Sequence, residues 1–270
     1  MKVETAHEQL LFSVVRLETD KQIGTGFFFS REKDGRTIPF LVTNKHVVAD
    51  AETYEFFLHL GGPEGPRLGD VVPVKITPEG EKFEFVGHPD KDVDIAVLPV
   101  AGVLKARSDL FYRRIGQEMV PSEDAIRELT SFEDVVVPGF PDGLFDSTNF
   151  LPITRRGVTA TPVSADFEGC PAFLIDASVF PGSSGSPVLI VNQGAYYART
   201  GTVIGQRVML LGVLSASYFR RSKGVVEYVD AASEPEFSAE EMLDLGMVFK
   251  TRCVDESIDY ALSLRDGPTP

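Results

Sequence analysis

The chain has 270 residues, 43% hydrophobic and 24% charged, and its 26 basic and 40 acidic side chains give a net charge of −14. That length can bury a core as one large all-β unit or two smaller domains, and the composition is that of a globular protein. The acidic balance, with no sustained basic cluster, argues against nucleic acid or an anionic membrane as the main partner.

The N-terminal segment is read first for targeting. Residues 1–20 carry Lys2, Glu4, His7, Glu8 and Arg16, and their longest apolar run, Leu10 to Phe12, is too short for a signal-peptide core. No stretch approaches the ~20 apolar residues of a membrane span. The expectation is a cytoplasmic protein with no membrane partner.

Short strands follow in series. Leu11 to Glu18, Gly26 to Ser30, Phe40 to Thr43, Tyr54 to Leu60 and Val71 to Ile76 read as strands. They are separated by turn signals at Asp34-Gly35, Gly61-Gly62-Pro63 and Pro78-Glu79-Gly80. Residues 101–131 are richer in helix formers and charge and read as a connector, with a helix around Ser122 to Leu129. A second set comprises Asp134 to Pro138, Thr154 to Thr161, Ala172 to Asp176, Pro187 to Val191, Val208 to Ser215 and Gly246 to Lys250. Ala239 to Leu245, with Ser238 as N-cap, and Asp255 to Leu264 read as helices. Arg155-Arg156 and Arg220-Arg221-Ser222-Lys223 are short basic spots, expected as solvated turns.

Three segments carry chemistry. Pro181-Gly182-Ser183-Ser184-Gly185-Ser186-Pro187 has the look of a serine on a tight turn, where glycines allow dihedrals that aim two N–H groups at one spot. In Phe40-Leu41-Val42-Thr43-Asn44-Lys45-His46-Val47-Val48 an apolar run ends in polar residues and a histidine. In Asp92-Val93-Asp94-Ile95-Ala96-Val97-Leu98 an acid heads a buried-looking strand, where burial is costly unless something hydrogen-bonds it. Asp94 is preferred to Asp92 because it directly precedes Ile-Ala-Val-Leu; Asp92 is expected to be exposed. His7, His59 and His88 have no motif around them and are expected as surface or structural residues. The four histidines and two cysteines show no ligand spacing, so no metal and no cofactor is expected. Cys170 and Cys253 make no disulfide framework; buried free thiols are expected, with a single bridge left open.

Thr43 to Val48, Asp94 to Leu98 and Gly182 to Pro187, in the order His46, Asp94, Ser184, resemble the three signatures of trypsin-like, chymotrypsin-fold serine peptidases. The first two are most similar to the bacterial HtrA/Deg-like branch. The order itself differs from that of subtilisin and of α/β-hydrolases. The resemblance implies an all-β fold of two six-stranded antiparallel β-barrels with a helical connector and a C-terminal helix. It divides the chain into 1–115, holding His46 and Asp94, and 116–270, holding Ser184 and the C-terminal helix. It further implies Ser184 as nucleophile, His46 as base, Asp94 as its orienting acid, and the N–H groups of Gly182 and Ser184 as the oxyanion hole.

The same resemblance assigns Ser178 to the base of the primary specificity pocket, Ser215 and Ser217 to the strand that pairs with substrate, and Gly246 to the pocket wall. Such a pocket carries no charge, which implies a neutral side chain in it rather than Lys or Arg. Two departures matter. Ser183 stands where secreted digestive members place an acid that pairs with a new N-terminus, so the site is formed constitutively or switched by loops or a regulatory protein partner. No PDZ-like module is expected within the 270 residues. The leading reading is a serine endopeptidase acting on a protein or peptide substrate. The alternative is a binding or sensing module that keeps the fold with a latent or inactive site, and an esterase or self-processing enzyme uses the same chemistry.

Overall fold

The structure is a computed structural model that describes residues 1–77, 84–141, 144–199, 201–225 and 236–265, with side chains left out at 216–225 and 236–242. Its first half opens on a short helix, α1 (Ala6–Leu11). Thr5 caps it: its hydroxyl accepts from the Glu8 N–H while Glu8 returns a bond to the Thr5 N–H. Then come β1 (Val14–Thr19), β2 (Ile23–Lys33), β3 (Arg36–Thr43), a single helical turn α2 (Lys45–Val48), β4 (Tyr54–Gly62), β5 (Gly65–Ile76), β6 (Val86–Gly87) and β7 (Ala96–Pro99). Asp34 and Gly35, both at positive φ (51° and 69°), close the hairpin between β2 and β3.

Helix α3 (Ala101–Lys105), β8 (Leu110–Phe111), β9 (Ile115–Gly116), a 3-10 turn (Gln117–Met119) and α4 (Glu123–Arg127) form the connector. Ser122 caps α4 through its hydroxyl, as its position before Glu123 and Asp124 leads one to expect. The second half holds β10 (Asp134–Gly139), β11 (Ile153–Thr159), β12 (Ala172–Asp176), β13 (Pro187–Asn192), β14 (Ala195–Ala198), β15 (Gly201–Ile204), β16 (Arg207–Val225), β17 (Glu236–Lys250) and the C-terminal helix α5 (Thr251–Arg265).

The two halves differ in closure. Strands β10-β11-β12-β17-β16-β13 form a closed barrel, whereas the first nine strands form one sheet ordered β5-β4-β1-β2-β3-β7-β6, with β8 and β9 attached. The expected second closed barrel is therefore not found among the described residues. The sheet ends on β6, only two residues long, and the Pro78-Glu79-Gly80 turn expected before it lies outside the described residues. β9 also runs parallel to β2, so the sheet is not wholly antiparallel.

Period-two alternation sorts the core. On β2, Phe28 faces a cluster inside the sheet with Leu41, Phe56 and Leu98, while Phe27 and Phe29 face a second cluster shared with barrel residues Leu189, Val213 and Phe249. A third cluster, including Val135, Phe173, Ile175 and Val248, fills the barrel. Helix α5 seals the shared cluster with Cys253, Val254, Ile258 and Ala261. Arg31 on β2 grips the helix through Asp255 (2.5 Å) and Asp259 (3.0 Å). No helix among the described residues is long and apolar enough to cross a membrane.

Three local expectations are corrected. Ala239 to Leu245, expected as a helix, lies in β17, because pairing with β16 runs the full ribbon and overrides local propensity. The register sets Arg220 opposite Glu241 and Arg221 opposite Glu240, so these basic residues lie on a strand, as do Arg155 and Arg156 on β11, and not in turns. The two cysteines are unpaired, but only Cys253 is buried; Cys170 is exposed.

Candidate active site

The site forms where the sheet meets the barrel. β3 ends at Thr43, and Asn44 turns the chain into α2, whose buried Val47 and Val48 anchor the turn and leave His46 outward. Asn44 makes no cap bond; its amide instead donates to the Asp94 carbonyl (2.7 Å), tying the histidine turn to the acid-bearing segment. Asp94 accepts the His46 backbone N–H at Oδ1 (3.0 Å) and meets His46 Nδ1 at Oδ2 (2.6 Å). The Ser215 hydroxyl also donates to Oδ2 (2.6 Å). Burial works against the charged form of Asp94, yet bonds from the His46 ring, the Ser215 hydroxyl and the His46 N–H outweigh it. They hold the carboxyl below its usual value. A charged Asp94 accepts the proton on His46 Nδ1, and in the neutral imidazole that places the lone pair on Nε2. Asp92 is exposed, as expected.

Ser184 lies on the turn between β12 and β13. Gly182 and Gly185 both take positive φ (83° and 88°). A Cβ on Gly185 would lie 1.9 Å from the Thr25 carbonyl, so no other residue fits there. The N–H groups of Ser183, Gly185 and Ser186 are bonded to Phe180, Leu214 and Ser183 carbonyls respectively. Those of Gly182 and Ser184 have no partner among the described residues, leaving two donors of one turn free. The Ser184 hydroxyl donates to the Ser215 carbonyl (3.0 Å) and, among the described residues, makes no bond to His46. Ser215 thus touches Asp94 with its hydroxyl and Ser184 with its carbonyl.

Of the specificity residues, Ser215 lies beside Ser184 and Gly246 packs against Val179 of this turn. Ser178 is exposed, two residues past β12. Ser217 and Gly246 are register partners of β16 and β17, and the Ser217 side chain is outside the described residues. Gly246 is packed inward, where an added Cβ would meet Leu214, Ile175 and Val179. Two of the other histidines are buried and structural: His59 Nε2 donates to the Asn149 carbonyl, and His88 bridges the Asp90 N–H and Glu256. Sequence reasoning missed Thr25, Thr43, Asn44 and Arg155. The first three lie within or beside a quoted motif or glycine pair, Gly24-Thr25-Gly26, which was the available signal; Arg155 had none.

The profile of the trypsin-like peptidase domain matches residues 24–198, and the chain belongs to that family. No curated protein sequence matches. Among solved structures, Rv3671c from M. tuberculosis H37Rv, an inactive serine-to-alanine mutant, is 20% identical, covering 96% of this chain and 89% of its own, with a TM-score of 0.48. The active form of the Rv3671c protease is 18% identical, covering 97% and 83%, with a TM-score of 0.47. An inactivated protease paralogue of the scabies mite is 14% identical, covering 98% and 99%, with a TM-score of 0.42.

Proposed function

We propose that the chain is a serine endopeptidase that cleaves a protein or peptide through an acyl-enzyme. Ser184 Oγ attacks the scissile carbonyl, and His46 Nε2 takes the proton and returns it to the leaving amine. Asp94 orients the imidazole and stabilises its charged form. The oxyanion that develops accepts from the free N–H groups of Gly182 and Ser184, an interaction absent in the ground state. Water then repeats the cycle on the acyl-enzyme and frees Ser184.

The observation that carries this reading is that His46, Asp94, Ser215 and Ser184 are joined by hydrogen bonds in one cluster, beside two N–H groups with no partner among the described residues. One observation favours the alternative of a latent binding module: the Ser184 hydroxyl rests on the Ser215 carbonyl and must turn to reach His46. Labelling with a fluorophosphonate, mapped by peptide mass spectrometry, decides between them. Reaction at Ser184 that disappears in His46→Ala supports the peptidase; folded protein that stays unlabelled overturns it in favour of the latent site.

A further inference from the structure

We propose that Thr25 and Arg155 are positioning residues that hold the turn 178–184 in its working shape from two sides. The inference rests on the peptidase reading and adds how its oxyanion donors are ordered. The segment Ala177 to Ser186 contains no charged side chain, so it has no ion pair of its own to anchor it. Two of its carbonyls, those of Ser178 and Gly182, are instead gripped by side chains from other strands.

Thr25 comes from β2, across the junction, and is fully buried. Every polar atom it has is committed. Its N–H donates to the Ser184 carbonyl (2.9 Å), and its own carbonyl accepts the Thr43 hydroxyl (2.7 Å). Its Oγ1 accepts the Phe140 N–H (3.0 Å) and bonds the Gly182 carbonyl (2.9 Å). The Phe140 N–H can only donate, so the single hydroxyl proton is directed at Gly182. The Ser184 N–H belongs to a peptide lying between these two Thr25-held carbonyls. Its direction is therefore set by a residue of the opposite half.

Arg155 holds the other end. It sits on β11 opposite Val137 and donates to the Ser178 carbonyl. Its guanidinium lies 4.5 Å from the Phe180 ring centroid. No carboxylate pairs with it among the described residues, and its Nε is buried without a partner. The guanidinium thus spends its contacts on the turn rather than on a counter-ion. The Gly182 N–H lies between the part Arg155 grips and the carbonyl Thr25 grips. Gly182, at positive φ and without a Cβ, does not restrict its own backbone, so the restraint comes from these outside contacts.

The test uses fluorophosphonate inactivation kinetics on the whole protein, separating the maximal rate (kinact) from probe binding (KI). Thr25→Val keeps the shape but loses the proton donor. Its kinact should fall about 100-fold, the scale of a lost oxyanion donor, with KI little changed. Thr25→Ser should restore most of the rate. Arg155→Met should lower kinact by a smaller factor, and Arg155→Lys should recover little, because an ammonium lacks the planar fork. Thermal melting of each variant separates misplacement from unfolding. The proposal is overturned if folded Thr25→Val reacts as fast as wild type, or if Thr25→Ser is as slow as Thr25→Val. A wild-type protein that does not react brings down the peptidase reading itself, before any substitution is made.

Discussion

His46 and Asp94 are held beside the open sheet by hydrogen bonds of their own side chains, while Ser184 is held on a turn of the closed barrel by glycine conformation and by bonds to the backbone of that turn. On the sheet side, removing a side chain removes a bond: His46 is exposed, and its ring bonds Asp94. On the barrel side the turn depends on two glycines at positive φ and on carbonyls that accept hydrogen bonds from Thr25. The difference teaches where chemistry and stability can be separated. Substitutions on the sheet side should change rate far more than stability, which shifts only by what the bonded Asp94 carboxylate contributes, and substitutions in the turn should change both.

The largest effect is expected on the sheet side. His46→Ala should lower kcat by about 10⁶-fold, the cost of losing the base in a cooperating set. Its unfolding midpoint in guanidinium should fall only slightly, because the half-exposed ring adds little burial and Asp94 keeps its bonds from Ser215 and the His46 N–H. A large shift would break the comparison. Asp94→Asn should cost about 10⁴-fold in kcat by favouring the wrong imidazole tautomer. It also has a pH signature. The Asp94 carboxyl is held below its usual value, so its contribution to stability is present above the ordinary carboxylate range and lost as pH falls through the lowered folded value. Wild type should therefore exceed Asp94→Asn in stability at neutral pH, and the two should converge in acid. Unfolding curves across pH check this.

On the barrel side, Gly185→Ala should cost stability as well as rate. Its Cβ would lie 1.9 Å from the Thr25 carbonyl and 2.5 Å from the Thr43 hydroxyl, at a φ of 88°. Left-handed strain alone costs about 1–3 kcal/mol, and the backbone clash adds to it. Because the clash reaches the sheet through Thr25 and Thr43, this variant should also slow the proton transfer proposed for His46. A variant that stays as stable as wild type would show that the turn relaxes freely, and the contrast between the halves would fail.

What was legible in the sequence follows the same division. His46, Asp94 and Ser184 sit in local motifs, and short alternating runs marked nearly every strand of the core. Closure of the first sheet, however, depends on how β5 meets β6, and no local pattern encodes a non-local edge. The strand at Ala239 to Leu245 was hidden because its residues favour helix and only the pairing with β16 makes them extended. The hairpin of β14 and β15 went unread between Gly194 and Gly205, although its alternation is short and clear. Arg155 could not be found at all, since its partners Ser178 and Phe180 are distant in sequence. Thr25 was within reach, framed by two glycines, but its role exists only once β2 meets the turn.

The smallest effect probes the seam between the halves. Cys253 lies on α5 in the cluster shared by sheet and barrel, fully buried, and burial pushes its thiol up to about 12. Cys170 is exposed on the barrel. A thiol reagent at neutral pH should modify Cys170 quickly in native protein. Cys253 should react only when α5 lifts from the seam, because the reactive thiolate needs both ionisation and access. Its slow rate then reports opening of the junction that carries the site, without perturbing the native state. If that rate matches global unfolding measured in denaturant, sheet and barrel open as one unit, and the contrast between them is local to the site. If Cys253 reacts faster than global unfolding, α5 lifts from the seam by itself, ahead of the cooperative opening of sheet and barrel.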